Sequence, residues 1–223
     1  MPNTGFTLRS PLGAGQAGNV PERHKSSHSY RHCIVFRQSS AAKVNIIQVL
    51  MRISRDQKLP FLVIGGHAVI ASGYRRTTDD LDIVVTKEHR QTWREIMEGI
   101  GYRLFSDQPT FAQFRPPQPW EWPVDLMFVS QETFSKMSKD AVETTIHETK
   151  VRIPSPEHLI ALKLHALRYG PPRRGGIDLT DIIEIVVANK MNVTSDTFKE
   201  ICERFGTVEI YARIKVALGE KRS

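Results

Sequence analysis

Asp80, Leu81, Asp82 and Ile83 alternate acid and apolar at the end of the stretch Arg75–Val85, RRTTDDLDIVV. On a β-strand successive side chains point to opposite faces, so Asp80 and Asp82 project side by side while Leu81, Ile83 and Val85 enter a core. Two carboxylates held that close repel, and each is driven toward the neutral acid unless a cation lies between them. Hard oxygen ligands with no cysteine nearby suit magnesium. Asp79 lies off that face and either joins the cluster or only finishes the turn before the strand.

A second feature precedes the acids. The β-rich run Leu62–Ile64 stops at Gly65-Gly66, and His67–Ser72 then has the length of one or two helical turns before Gly73. This is a strand delivering backbone to a helix N-terminus. Without Cβ atoms the glycines let amides approach a bulky group, and the unpaired N–H groups of the following turn present a positive dipole to it. A phosphate chain is the usual occupant. Glycine turn and acidic strand together predict a magnesium-bridged nucleoside triphosphate.

Two further charges sit where apolar residues are expected. Val124–Val129, VDLMFV, reads as a buried strand with one carboxylate, Asp125, which is expensive there unless a charged partner receives it. Lys163 falls within the helical stripe Leu159, Ile160, Leu164, Leu167, and an ammonium in that stripe needs an anion. Asp178 or Asp181 supplies one as an ion pair, or phosphates do. Those two aspartates also stand three apart where the helix through Ile182, Ile185 and Val186 begins, so an N-cap and an acid at the third position are expected on structural grounds, with capping the leading reading for Asp178.

A glycine pair, thirteen intervening residues and then Asp-hydrophobic-Asp resembles the signature of the DNA polymerase β nucleotidyltransferase superfamily. More narrowly, Gly65-Gly66 followed by Arg76-Thr77-Thr78-Asp79-Asp80-Leu81-Asp82 is similar to the small bacterial AbiEii-type nucleotidyltransferases, over about residues 42 to 190. The resemblance implies transfer of a nucleoside monophosphate from an NTP to a hydroxyl. It implies a pair of magnesium ions on Asp80, Asp82 and Asp125, with Asp125 also helping to deprotonate the acceptor. Gly65, Gly66, His67 and Thr78 would line the nucleotide, and Lys163 would meet its phosphates. Arg76 would neutralise charge on pyrophosphate, or is an ordinary surface arginine. An R…D…D arrangement after the lysine helix matches Arg173 or Arg174 with Asp178 and Asp181, the register there being unsettled by Gly175-Gly176.

The acceptor follows from resemblance only. RNA such as tRNA, or protein, is implied by kinship with toxin-antitoxin nucleotidyltransferases, which also implies a cognate antitoxin. Antibiotic nucleotidyltransferases share the GG…DDhD layout, so an antibiotic hydroxyl is an alternative acceptor. A non-catalytic nucleotide-binding or antitoxin-like partner is the alternative of another class; loss of a metal carboxylate would favour it, and all three are present.

The elements that must position these residues follow from periodicity and punctuation. Ala41–Gln57 carries Ile46, Ile47, Leu50 and Ile53 at helical spacing and leads into the first strand. Lys87–Ile100 reads as an amphipathic helix stopped by Gly101. Strands are expected near Tyr102–Phe105 and Phe111–Phe114, and Thr144–Ile153 is strand-like. Pro116–Pro123, PPQPWEWP, excludes regular structure; its Trp120 and Trp122 either stack on a base or, the favoured reading, plug the edge of the sheet. Ser130–Val142 has helical character. Ser155-Pro156-Glu157 announces a helix with a serine cap and proline at its first position, running to about Arg168. A last helical stretch, about Ser195–Leu218, is placed over the active-site side of the sheet. The fold class is therefore α/β: a nucleotidyltransferase-fold mixed β-sheet core with flanking helices over residues 41–153, and a C-terminal helical region over 154–223.

Composition bounds the rest. An apolar share of 40% over 223 residues supports one sizeable core. No run approaches the roughly eighteen apolar residues of a membrane span, and Met1–Leu12 lacks a secretory h-region, so a soluble, cytoplasmic protein without membrane partners is expected. Cys202 lies in the stripe Phe198, Ile201, Cys202, Phe205 and reads as a reduced core thiol. Residues 1–40, rich in Gly, Ser, Pro and Arg, are expected to form a disordered or loosely ordered tail, in which His24, His28 and His32 lack the helical context a metal face needs. Of the formal charge of +7, that tail holds five basic and one acidic residue, leaving 26 against 23 beyond it. A surplus of three is too mild to argue a DNA-binding surface.

Overall fold

The computed structural model describes residues 45–170 and 175–221. The predicted tail, with His24, His28 and His32, and the match at Arg173 or Arg174 lie outside the described residues. Every described element belongs to the unit Ala42–Ser223.

Helix α1, Ile46–Gln57, is capped by Asn45, whose side chain accepts from the Ile47 amide at 2.9 Å. It leads to the short strand β1, Leu62–Val63, and then to α2, Gly65–Ala71, which begins at the first glycine rather than after the second. Strand β2, Leu81–Thr86, follows; Asp80 stands immediately before it, and the Leu81 amide donates to the Pro123 carbonyl at 2.9 Å. A 3₁₀ turn, Lys87–His89, precedes α3, Arg90–Gly99. Next come β3, Arg103–Gln108, β4, Phe111–Arg115, and β5, Val124–Val129.

These strands form one sheet in the order β1-β2-β5-β4-β3, with β2 and β5 parallel and the other pairs antiparallel. The mixed sheet and its flanking helices are the α/β architecture that the sequence predicts. Leu81, Ile83, Val85, Val124 and Leu126 point to the main core, where each is fully buried. On the opposite face Val84 joins Leu62, Ile64, Phe134 and Met137 in a smaller core under α4, Gln131–Lys139. The small core covers only the far half of that face. Asp82 and Asp125, two residues earlier on their strands than Val84 and Met127, lie on the half it leaves open.

The stretch expected as one strand is a hairpin, β6, Val142–Ile146, and β7, Thr149–Ile153, forming a separate two-stranded sheet. Its two-residue turn places His147 and Glu148 at φ of 44° and 63°, the left-handed pair that a tight hairpin requires. No glycine or asparagine marks this turn, which is why the alternation reads through it. Helix α5, Pro156–Tyr169, starts as predicted, Ser155 accepting from the His158 amide. Helix α6, Gly175–Ala188, packs along it. The closing stretch is two helices, α7, Asp196–Phe205, and α8, Val208–Lys221, separated at Gly206. They pack mainly on α5, α6 and each other rather than over the active-site side of the sheet. Cys202 is fully buried and free, and burial pushes its thiol up to about 12, as an inert core residue requires.

Candidate active site

The three acidic residues converge. Asp82 and Asp125 are direct neighbours across the parallel β2–β5 pair, and each of Asp80, Asp82 and Asp125 offers a carboxylate oxygen such that all three atoms lie within 4.8 Å of one another. All three residues are half-buried. Three negative charges in that span repel strongly, and hard oxygens with no soft ligand among them fit a magnesium ion. The open half of the sheet face gives such an ion access.

Each carboxylate is oriented from a different element. The Thr78 hydroxyl donates to Asp80 Oδ1 at 2.9 Å, fixing the acid that lies outside the strand. Gln113 Nε2 donates to Asp125 Oδ2 at 2.7 Å from the neighbouring strand, where the two residues are paired in register. Sequence reasoning did not single out Gln113. The signal was present, since Phe111, Gln113 and Arg115 alternate with Ala112 and Phe114, but nothing local says which strand would face them.

The glycine turn serves the carboxylates first. Gly65 has φ of 62°, and a Cβ there would overlap the Asp82 carboxylate; a Cβ on Gly66 would overlap the Thr78 side chain. Both positions are therefore closed to any side chain. Gly65 also lines a smaller cavity of about 200 Å³ with Asp82, Leu159, Lys163 and Asp178.

Opposite the acids stands a wall of paired charges. Lys163 Nζ lies 2.8 Å from both Asp178 Oδ1 and Asp181 Oδ2. Arg76 Nη2 donates to Asp181 Oδ2 at 3.2 Å, and its Nε lies 3.0 Å from Asp181 Oδ1 as an ion pair without hydrogen-bond alignment. Asp181 is fully buried and Asp178 nearly so. Asp178 therefore does not act as an N-cap: it lies inside α6, turned onto Lys163, because an ammonium buried in the α5 stripe outweighs an exposed helix end. Arg76 is likewise no free surface arginine. Gly66, Arg76, Thr78, Asp80, Asp82, Gln113, Asp125, Lys163 and Asp178 share one open cavity of about 480 Å³, with Asp79 on its rim.

His67 is placed elsewhere. It lines a neighbouring cleft, on the other side of the segment Arg76–Asp79 from the carboxylates. It is 4% exposed, and burial, then the nearby His147, lowers its pKa to about 4, so the imidazole is neutral at pH 7. Trp122 packs on its ring at 4.5 Å and is partly buried against the main core, while Trp120 is 65% exposed.

No protein-family model matches the chain, and no curated protein matches it. Solved structures do. An antigenic nucleotidyltransferase-like protein from Paracoccidioides brasiliensis is 20% identical with a TM-score of 0.48, over 78% of this chain and 90% of that one. ANT(2″)-Ia in complex with adenylyl-2″-tobramycin is 18% identical with a TM-score of 0.48, over 80% and 97%. The lincosamide antibiotic adenylyltransferase LnuA, lincomycin-bound, is 17% identical with a TM-score of 0.47, over 62% and 93%. No described helix is long and apolar enough to cross a membrane.

Proposed function

We propose that this chain is a metal-dependent nucleotidyltransferase that moves a nucleoside monophosphate from an NTP to a hydroxyl acceptor. The observation that carries the reading is the convergence of Asp80, Asp82 and Asp125 within 4.8 Å beside two half-buried cations, Arg76 and Lys163. Asp80, Asp82 and Asp125 would hold magnesium, whose Lewis acidity offsets the triphosphate charge and favours attack at the α-phosphorus. The acceptor oxygen bonds to that phosphorus, the bond to the β-phosphate oxygen breaks, and pyrophosphate leaves. Asp125, held by Gln113, takes the proton from the acceptor hydroxyl. Arg76 and Lys163 face the departing phosphates, and the Gly65-Gly66 turn gives them room.

The resemblance to AbiEii-type enzymes supports a finer reading: a cytoplasmic toxin-antitoxin component, with RNA such as tRNA, or protein, as acceptor, and a cognate antitoxin. The test is incubation with each α-³²P-labelled NTP, magnesium, and total RNA or protein. Label transfer to RNA or protein, with pyrophosphate release and loss of both in Asp82→Asn, is expected. Label on neither, with transfer to an aminoglycoside or lincosamide instead, would redirect the acceptor. No pyrophosphate with any acceptor, despite magnesium-dependent NTP binding, would leave a non-catalytic nucleotide-binding protein.

A further inference from the structure

The cleft that holds His67 is nearly as roomy as the carboxylate cavity, at about 430 Å³ against about 480 Å³, and the two share the wall Arg76, Thr77, Thr78 and Asp79. None of the three metal-type carboxylates lines it. Its remaining walls come from α2, the loop before β5 and the β6–β7 hairpin: His67, Ile70, Trp122, Thr145 and His147.

Three rings meet there without stacking. Trp122 lies 4.5 Å from His67 at an interplanar angle of 50° and 4.7 Å from His147 at 60°, and the two imidazoles are 5.6 Å apart at 80°. Planes so inclined are not stacked face to face on one another, and Trp122 is only partly buried against the main core. The positive-φ turn at His147-Glu148 holds the exposed His147 at the mouth. Beneath it, His67 Nε2 is buried and has no hydrogen-bond partner among the described residues. A buried polar atom left unpaired is costly and rare, and it marks a place where something else completes the bond.

We propose that this cleft is a nucleobase site, in which a purine or pyrimidine ring enters against Trp122 and His147 and its polar edge pairs with His67 Nε2. A planar heterocycle fits both features: its face stacks on an aromatic side chain whatever the base, and its edge carries the donor or acceptor that the imidazole lacks. Phosphate fits neither. A base there has two sources, the donor NTP or a nucleotide of the acceptor, and the shared wall lets either reach the carboxylates. The second half of that statement rests on the nucleotidyltransferase reading; the binding of a base does not.

The experiment uses the full chain and nucleosides without phosphate. Adenosine, guanosine, cytidine and uridine are titrated in the absence of metal, followed by tryptophan fluorescence and saturation-transfer NMR. Saturable binding of at least one is expected, weakened about 5- to 150-fold by Trp122→Ala, the range given by loss of one base–aromatic stack. His67→Phe, which keeps the ring and removes the nitrogen, should also weaken it, with a melting temperature no lower than wild type. Should Trp122→Ala fail to fold, His147→Ala at the exposed turn takes its place. Asp82→Asn should leave nucleoside binding intact, so failure of the metal site and failure of the cleft are separable. With magnesium and a non-hydrolysable NTP present, displacement of the nucleoside assigns the cleft to the donor base, and simultaneous binding assigns it to the acceptor. No nucleoside binding, or binding indifferent to the Trp122 or His147 and His67 substitutions, overturns the proposal.

Discussion

Two clusters of charge face each other across one cavity, and the protein treats them in opposite ways. On the sheet side, three carboxylates crowd within 4.8 Å, and Thr78 from the loop before β2 and Gln113 from β4 donate to two of them. On the helical side, Lys163 and Arg76 are matched by Asp178 and Asp181 at 2.8 to 3.2 Å. The first arrangement stores repulsion that an added cation relieves. The second is neutral as it stands and ties α5 and α6 to the loop before β2. Breaking the first should remove function and spare the fold; breaking the second should do damage to the fold itself.

The largest effect is expected from Asp181→Ala. It would leave Arg76 without its carboxylate and Lys163 with Asp178 alone, and removing one partner of a buried ion pair typically costs about 3 to 5 kcal/mol. Urea unfolding would measure it, and Lys163→Ala should fall in the same range, since it strands the buried Asp178 and leaves Asp181 with Arg76 alone. If Lys163→Ala instead keeps wild-type stability and loses NTP affinity by calorimetric titration, the pairing seen here gives way to phosphate.

Asp82→Asn should do the reverse. Several kcal/mol of metal-borne charge stabilisation corresponds to about a thousandfold in rate, whereas the melting temperature should hold or rise as repulsion is relieved. A marked fall in melting temperature would mean that Asp82 is structural, and the contrast between the clusters would fail.

His67 belongs to neither cluster and gives the next effect. Its pKa is about 4 when folded against 6.5 unfolded, so the unfolded chain binds the extra proton. Stability should therefore fall as pH drops from about 6.5 through about 4, by up to about 3 kcal/mol. His67→Phe should remove that component of the slope, and an identical slope in the variant would show that other groups cause it.

The smallest expected change is Gln113→Ala. Losing the partner that orients a metal carboxylate costs about 10- to 100-fold in activity or metal affinity, with about 1 kcal/mol or less of stability. An unaltered magnesium dependence would show that Asp125 needs no orientation from β4.

Much of this arrangement is legible in the sequence because it is local. Alternation placed Asp80 and Asp82 on one face, the serine cap and Pro156 fixed the start of α5, and the apolar stripe around Lys163 announced an unmet charge. The element boundaries moved by a few residues, and Thr144–Ile153 split into a hairpin because its turn carries His147 and Glu148 instead of the glycine or asparagine that usually marks one.

What only the tertiary structure decided concerns partners distant in the chain. Periodicity says which face a side chain takes but not which strand lies beside it. The parallel register of β2 and β5 set Asp125 against Asp82, and the antiparallel register of β4 set Gln113 against Asp125. Arg76 meets Asp181 across 105 positions, and Lys163 joins Asp181 to Asp178, so that an arginine open to a surface reading and an aspartate read as a helix cap belong to one ion-pair network. His67 follows the glycine pair by one residue, yet it opens on the other side of the Arg76–Asp79 segment, because on a helix each residue is turned about 100° from the last. The sequence determined which chemistry the chain can present; the packing of sheet, loop and helices determined which groups share a cavity, since burial and pairing are decided between elements and not within them.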